Sequence, residues 1–432
     1  MKSGEPAEYQ SAAVGEEPPK GALSIIFFIV FMDLLGFGII IPLLPLYAKD
    51  YKASFVEVGL LFSIYSACQF VASPILGVIS DRYGRRPVLV FSQLGSALGY
   101  LLLGLVMSVH WGNPHYALLL IYISRLIDGI SGGNISTAQA YISDVTTREN
   151  RARGMGVIGA AFGAGFALGP AFGALLVIFH PSLPGYFAAL MSIGAMLMTY
   201  FRLPESRVHN PAESGSWLHP RRFLPVLKHS RLVQLLLITF ISMTAFVMLE
   251  STVALFLSDP RTFRYTGWQV GLYYAFLGVV ISVVQGGLIG RLTRRFGEWP
   301  LAIIGPLLVA LGMASLVLVG YKPLLIILLI GGAINATGRS LQTPTLYALI
   351  SQASDPREQG LVFGLNQGLG SIARVIGPLV ATFVLRYWLG GPFALAGTIV
   401  LLASLWTIAL RMRSPDAATF PLPAEAAAAE SV

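Results

Sequence analysis

Twelve stretches of this chain are apolar and about 20 residues or longer, roughly 22–47, 56–80, 87–109, 116–143, 154–180, 184–203, 232–257, 268–290, 299–321, 323–350, 359–387 and 392–411. A hydrocarbon core about 30 Å thick is spanned by about 20 helical residues, so each run is read as one crossing. The breaks at Pro181 to Pro184 and at Lys322-Pro323 are short enough to be tight turns. Only 12% of the 432 residues are charged, about half the ~25% of a soluble domain, which excludes a soluble enzyme. The 46 Gly, 26 Pro and 48 aromatic residues, spread along the chain, suit helices that approach closely in lipid with rings at the interfaces. A net charge of +8 does not indicate nucleic acid, because the basic residues sit in short clusters between apolar runs rather than on one solvated face. Cys68 is the only cysteine, so no intrachain disulfide and no cysteine-rich metal site can form; no histidine pair has metal-ligand spacing, and no phosphate loop or nucleophile constellation stands out.

Basic residues set the topology, because short basic loops stay cytoplasmic. With the N-terminus inside, twenty of the 29 Lys and Arg fall on the cytoplasmic side, six fall outside, and Arg125, Arg339 and Arg374 lie within helices. The fold class expected is therefore an all-α membrane protein of twelve transmembrane helices in two six-helix bundles, with both termini cytoplasmic. Its divisions are a tail at 1–21, a first bundle at 22–203, a basic, proline-rich linker at 204–231, a second bundle at 232–411 and a tail at 412–432. The halves are related: Gly77-x3-Asp81-Arg82-x2-Arg85-Arg86 recurs, degraded, as Gly286-x3-Gly290-Arg291-x2-Arg294-Arg295, shifted by 209 residues. Gly169-Pro170 recurs as Gly377-Pro378 and Arg148-Glu149 as Arg357-Glu358 at nearly the same offset. Duplication of this kind in membrane proteins typically builds a transporter with its site between the repeats.

Three motifs carry a resemblance. The loop Gly77-Val78-Ile79-Ser80-Asp81-Arg82-Tyr83-Gly84-Arg85-Arg86 fits G-x-x-x-D-R-x-G-R-R at every fixed position; Arg125-Leu126-Ile127-Asp128-Gly129 fits R-x-x-x-G; and Gly156, Gly165, Gly169, Pro170 and Gly173 are spaced as an antiporter motif, with Ala174 replacing its last glycine. With these, the chain resembles the major facilitator superfamily, in its twelve-helix drug/proton antiporter branch, and the run from Met32-Asp33 to Pro45 is similar to the first helix of tetracycline/proton antiporters. The resemblance implies the major facilitator fold, a gating role for the loop Gly77 to Arg86, and a gating rather than ligand role for the glycines of the fifth helix. The second copy departs from the motif, with Gly290 in place of the Asp and Thr293 in place of the Gly.

Ionisable side chains at mid-membrane are costly unless paired or hydrated, so they are functional candidates. Six are found: Asp33, Arg125, Asp128, Glu250, Arg339 and Arg374. At about 1.5 Å per residue, Asp33 lies ~17 Å from the inner boundary and Arg125 ~16 Å, so the two can meet; Asp128, three residues after Arg125, shares its face as a second partner. These three form the candidate proton-coupling group, since a carboxylate that alternates between apolar surroundings and arginine or water can take up and release a proton. Glu250 and Arg374 fall at similar depths toward the outside and are expected to pair. Arg339 falls in the inner third with no partner at its depth, and is a candidate for an anionic substrate group or a gate contact. Phe37, Phe246, Tyr273 and Asn134 are further candidate substrate contacts.

The function expected is proton-coupled secondary active export of small lipophilic or amphipathic compounds, in the manner of multidrug efflux and antibiotic resistance. The partners are a small-molecule substrate, protons and the lipid bilayer, and the chain acts as a monomer. The proton gradient replaces any cofactor. Compact loops and the absence of a targeting segment favour a bacterial inner membrane. The alternatives are a metabolite symporter or uniporter on the same fold, or a non-transporting scaffold or sensor.

Overall fold

The computed structural model describes residues 22–146, 151–206, 229–354 and 359–413, and every regular element in them is helical. The first apolar run breaks at 41–43 into α1 (Ala22–Ile40) and α2 (Leu44–Asp50), because Pro42 and Pro45 cannot donate into a helical ladder and Pro42 disfavours the helical conformation of Ile41. Next come α3 (Phe55–Tyr83) and α4 (Arg85–Ser108). The fourth run also breaks, at Gly132-Gly133, into α5 (Pro114–Ser131) and α6 (Asn134–Val145), where two poor helix formers are adjacent. The turn expected at Pro181 separates α7 (Arg151–Phe179) from α8 (Leu183–Arg202).

The second half contains α9 (Ser230–Ser258), then α10 (Gly267–Val283), which passes through a π-helical turn at Val284–Leu288 into α11 (Ile289–Phe296). It continues with α12 (Glu298–Tyr321), α13 (Leu325–Gln352), α14 (Gln359–Leu385) and α15 (Gly391–Arg413). Among the described residues, eleven helical stretches are long and apolar enough to cross a membrane, and α7 contributes a shorter apolar helix, Gly163–Phe179. The tails 1–21 and 414–432, residues 207–228 of the linker, and Arg148, Glu149, Arg357 and Glu358 of the repeat lie outside the described residues.

In the first half α1 packs on α7 and α8, and α4 on α5 and α8; in the second α12 packs on α13 and α15, and α9 on α14 and α15. The halves meet along two seams, α3 with α14 and α7 with α10. Both seams are tightest toward the face holding the 51–54 and 386–390 loops. There the Ser63 hydroxyl donates to the Val375 carbonyl at 2.7 Å, and a Cβ added at Gly59 would stand 2.9 Å from the Pro378 oxygen. At the other seam a Cβ at Gly278 would stand 2.8 Å from the Ala167 Cα.

The buried apolar residues follow the same division. One cluster joins the halves at that face, with Leu43, Leu44 and Tyr47 of the first half in one core with Val253, Leu257 and Leu385 of the second. At the opposite, basic face each half has its own core, around Ile26, Leu89 and Tyr141 in the first and Leu232, Leu349 and Leu410 in the second. Burial of this kind supplies the association that area removed from contact with water or lipid alone would not. Among the described residues, the halves therefore share one core at the first face and have separate cores at the basic face.

Candidate functional site

Arg125 and Asp128 lie on one face of α5, three residues apart, and are almost wholly buried, at 2% and 1% exposure. The Arg125 Nη1 meets Asp128 Oδ2 at 3.1 Å, Nη2 reaches the Ser124 hydroxyl at 3.2 Å, and the guanidinium lies 5.7 Å from the Tyr100 ring centre. Ser96 and Tyr100 lie near enough to act on the same carboxylate. The second partner that the spacing offered is thus in contact with Arg125. Asp33, half-buried on α1, acts electrostatically on Tyr65 and Tyr100, as Asp128 does. These two tyrosines were not singled out from the sequence; being uncharged and frequent in the chain, they left no signal there.

A narrow cleft runs between the halves, and Phe37, Tyr65, Arg125, Glu250 and Arg374 line it. Phe37 is fixed by Tyr65 and Phe166, with ring centres 5.2 and 5.9 Å away. Glu250 and Arg374 share the cleft but make no ion pair within 4 Å. The pairing expected from equal depth is a long-range one, because Glu250 sits between the fields of Arg374 and Arg339. Arg339 stands midway along α13. Its guanidinium lies 4.0 Å from the Phe246 ring centre with Nη2 3.4 Å from the Met243 sulfur. Phe246 is thus brought to the site as the platform for an arginine. Tyr273 is buried against Gly332 and lines neither this cleft nor the cavity beside Arg339. Asn134 opens α6, and its side chain lies outside the described residues.

The loop at the basic end of α3 is built around Gly84, whose φ of 101° favours glycine. Asp81 pairs with Arg85 at 2.6 Å, and Arg85 Nε continues to Asp144 at 3.0 Å. Arg82 lies over the Tyr83 ring. Arg86 lies over the Tyr200 ring and donates to the Tyr200 carbonyl. Two further acids complete the loop: Glu205 accepts the backbone N–H groups of Arg85 and Arg86 at 2.8 and 3.1 Å, capping α4 at the end where its dipole favours an anion. Sequence reading missed Glu205 and Asp144, since 120 and 59 residues separate them from Arg85; the one available signal was an acid immediately after an apolar run that ends beside the basic loop. Gly77, farther up α3, has nothing within 4 Å of the position a Cβ would take.

The glycines of α7 serve contact. A Cβ at Gly169 would stand 2.7 Å from the Gly38 backbone, one at Gly165 2.8 Å from Leu34, and one at Gly173 2.8 Å from the Ile39 oxygen. So α1, which carries Asp33, is pressed backbone to backbone on α7, with Pro170 inside the contact stretch. Gly156 lies earlier on the same helix. Among the described residues no cluster of His, Cys, Asp and Glu could hold a metal ion.

Comparison with known proteins bears on the whole arrangement. The family model described as Major Facilitator Superfamily matches residues 26–327 and, again, 288–431. The tetracycline resistance protein, class C, of Escherichia coli is 30% identical over 380 residues, 84% of this chain and 89% of that one. Major facilitator superfamily domain-containing protein 10 of Homo sapiens is 30% identical over 429 residues, 88% and 90% of the two chains. The crystal structure of the human organic anion transporter MFSD10 (TETRAN) has a TM-score of 0.67 at 26% identity, covering 91% of this chain and 100% of that one. A POT family transporter shares the fold with a TM-score of 0.73 at 14% identity, over 92% and 98%.

Proposed function

The chain belongs to the major facilitator superfamily, and from that premise we propose that it is a proton-coupled antiporter that exports small lipophilic or amphipathic compounds by alternating access. The observation that carries the reading is a cleft between two halves lined by Arg125, Glu250 and Arg374, with Asp33 and Asp128 near enough to act on Tyr65 in its wall. A rigid scaffold has no use for charges around such a cleft at that depth, where they are costly. The positive-inside rule makes the basic face cytoplasmic, and on that assignment the cleft is open inward and shut outward. The α1–α7 contact places Asp33 on a helix whose rocking against its neighbour would change the surroundings of its carboxylate, the condition for taking a proton on one side and releasing it on the other. Similarity to proteins named for tetracycline resistance supports export, and the loop Gly77 to Arg86, held by Glu205 and Asp144, would be the latch broken and remade in each cycle. The protein would work as a monomer in a bacterial inner membrane, with the proton gradient as its only energy source.

The test uses everted vesicles with an imposed pH gradient. Candidate drugs added outside should dissipate the gradient with the wild type, and Asp33→Asn, which keeps the side chain's shape and loses its proton, should abolish that response while folding normally. A symporter or uniporter would not trade external drug for luminal protons. If Asp33→Asn still accumulates drug against its gradient at the wild-type rate, Asp33 does not couple transport to protons.

A further inference from the structure

The charges of the second half leave two arginines facing an empty cavity. A cavity beside α9, α13 and α14 is lined by Arg339 and Arg374 together with Phe240, Leu346, Tyr347 and Asn366. No carboxylate lines it. Arg339 spends its flat face on Phe246 and one N–H on a thioether, a weak acceptor. Arg374 gives Nη2 to the Ser371 hydroxyl at 3.2 Å, while its buried Nε has no hydrogen-bond partner. The buried Oδ1 of Asn366 has none either, so the orientation of that amide is open to a ligand. A guanidinium offers five donors in a fork that matches planar anions, and two such cations lining one cavity without a carboxylate are costly to keep without an anion. Glu250 lies in the adjoining cleft, which shares Arg374, near enough to act on both arginines but not within ion-pair distance.

We infer that this cavity is the anion subsite of the transport site: Arg339 and Arg374 bind the carboxylate of an amphipathic, aromatic substrate, and Glu250 is a tethered counter-ion that competes with it. The aromatic body of the substrate lies against Phe240 and Leu346, while Phe246 holds Arg339 flat for a bidentate contact. With the site empty, Glu250 supplies the negative charge the arginines lack; with a carboxylate bound, Glu250 is displaced. The substrate class follows from this arrangement, and it rests on the reading of the protein as a small-molecule transporter.

The test is equilibrium binding to the purified full chain in detergent, with no gradient present, using three probes of one shape: 2-naphthoate, neutral 2-naphthamide and cationic 2-naphthylmethylammonium. Naphthoate should bind at least about tenfold tighter than the amide, the worth of one charge-assisted hydrogen bond. Arg339→Gln and Arg374→Gln should each remove about that factor for naphthoate and leave the amide unchanged. Glu250→Gln should tighten naphthoate and not the amide, a gain that damage to folding cannot imitate. Should an arginine variant not fold, Arg339→Lys, Arg374→Lys and Glu250→Gln carry the same test. Tightest binding of the cation, equal effects on amide and naphthoate, weaker or unchanged naphthoate binding in Glu250→Gln, or no binding of naphthoate would each overturn the proposal. Because binding needs no proton gradient, normal naphthoate binding with no drug-driven loss of the gradient would sink proton antiport and leave the subsite standing; the reverse result would do the opposite.

Discussion

The two halves of the molecule keep their membrane charges in opposite ways. In the first, Arg125 and Asp128 are joined at 3.1 Å and sealed by Ser124, Ser96 and Tyr100. In the second, Glu250, Arg339 and Arg374 share a cleft and a cavity without a direct ion pair, and Arg374 Nε lacks any partner. A closed pair is part of the packing and holds one geometry, whereas an open set of charges has room for a ligand. The first half thus holds its pair as a fixed element, and the second leaves its charges open.

That contrast makes its largest prediction at Asp128. Removing one member of a buried, hydrogen-bonded pair strands the other, at about 3–5 kcal/mol; Asp128→Asn should therefore lower thermal stability in detergent severely. Arg374→Gln removes a charge that already lacks a close counter-ion, and should cost about 1 kcal/mol or less. Comparable losses in the two variants would erase the distinction between closed and open.

The next effect in size is the coupling between Glu250 and Arg374. Groups that act on each other through a cleft should show a double-mutant coupling of about 0.5–1 kcal/mol, below that of a contacting pair. Thermal unfolding of Glu250→Gln, Arg374→Gln and the double variant measures it. Strict additivity would separate Glu250 from the arginines, and coupling as large as that between Arg125 and Asp128 would mean that the two close into an ion pair in another state of the cycle.

How much of this was legible beforehand differs between the halves for a physical reason. Run length located the long helices to within a few residues, because crossing a membrane constrains length strongly, but the breaks at 41–43 and at Gly132-Gly133 inside single runs were not foreseen. The Arg125–Asp128 contact was legible because helical spacing of three residues fixes it locally. Depth counting brought Glu250 and Arg374 to one cleft, but it did not foresee that Arg339 rests on Phe246, since a depth does not say which side chain of a neighbouring helix stands beside it. Glu205 and Asp144 were not legible at all. Their partners are set by how α4, α6 and α8 converge at the basic face, which no local pattern encodes.

The turns after the related motifs extend the comparison at smaller scale. Gly84 and Gly297 both have positive φ, at 101° and 77°, and alanine at either should cost about 1–2 kcal/mol from backbone strain. At Gly84 an added Cβ would also crowd the Glu205 carboxylate, while nothing lies within 4 Å at Gly297. Gly84→Ala should therefore lose more stability than Gly297→Ala, and Glu205→Ala, which removes the crowded group, should remove most of the excess. Equal losses would show that Glu205 yields freely and that the two turns are equivalent.

The smallest effect belongs to a charge pair that water screens. In the loop after α9, Asp259 Oδ1 accepts the Arg261 Nε at 2.9 Å and its backbone N–H at 2.8 Å, but the Arg261 side chain is 66% exposed, so the pair should contribute about 0–1 kcal/mol. The guanidinium hydrogen bonds outweigh partial burial and hold the Asp259 carboxyl below the usual carboxylate range. A lowered folded-state pKa stabilises above the unfolded value, near 4, and that contribution fades as pH falls through the lower folded value. The melting temperature of the wild type should thus exceed that of Asp259→Asn by a small, constant margin from pH 7 to about 5, and the margin should shrink below about pH 4. Taking the difference between the two proteins cancels the titration of every other group. A margin that persists undiminished at pH 3 would mean that Asp259 acts through its shape and neutral hydrogen bonding, and a margin as large as that of Asp128→Asn would mean that exposure does not weaken a pair in this protein, breaking the ordering from closed to open to solvated charges.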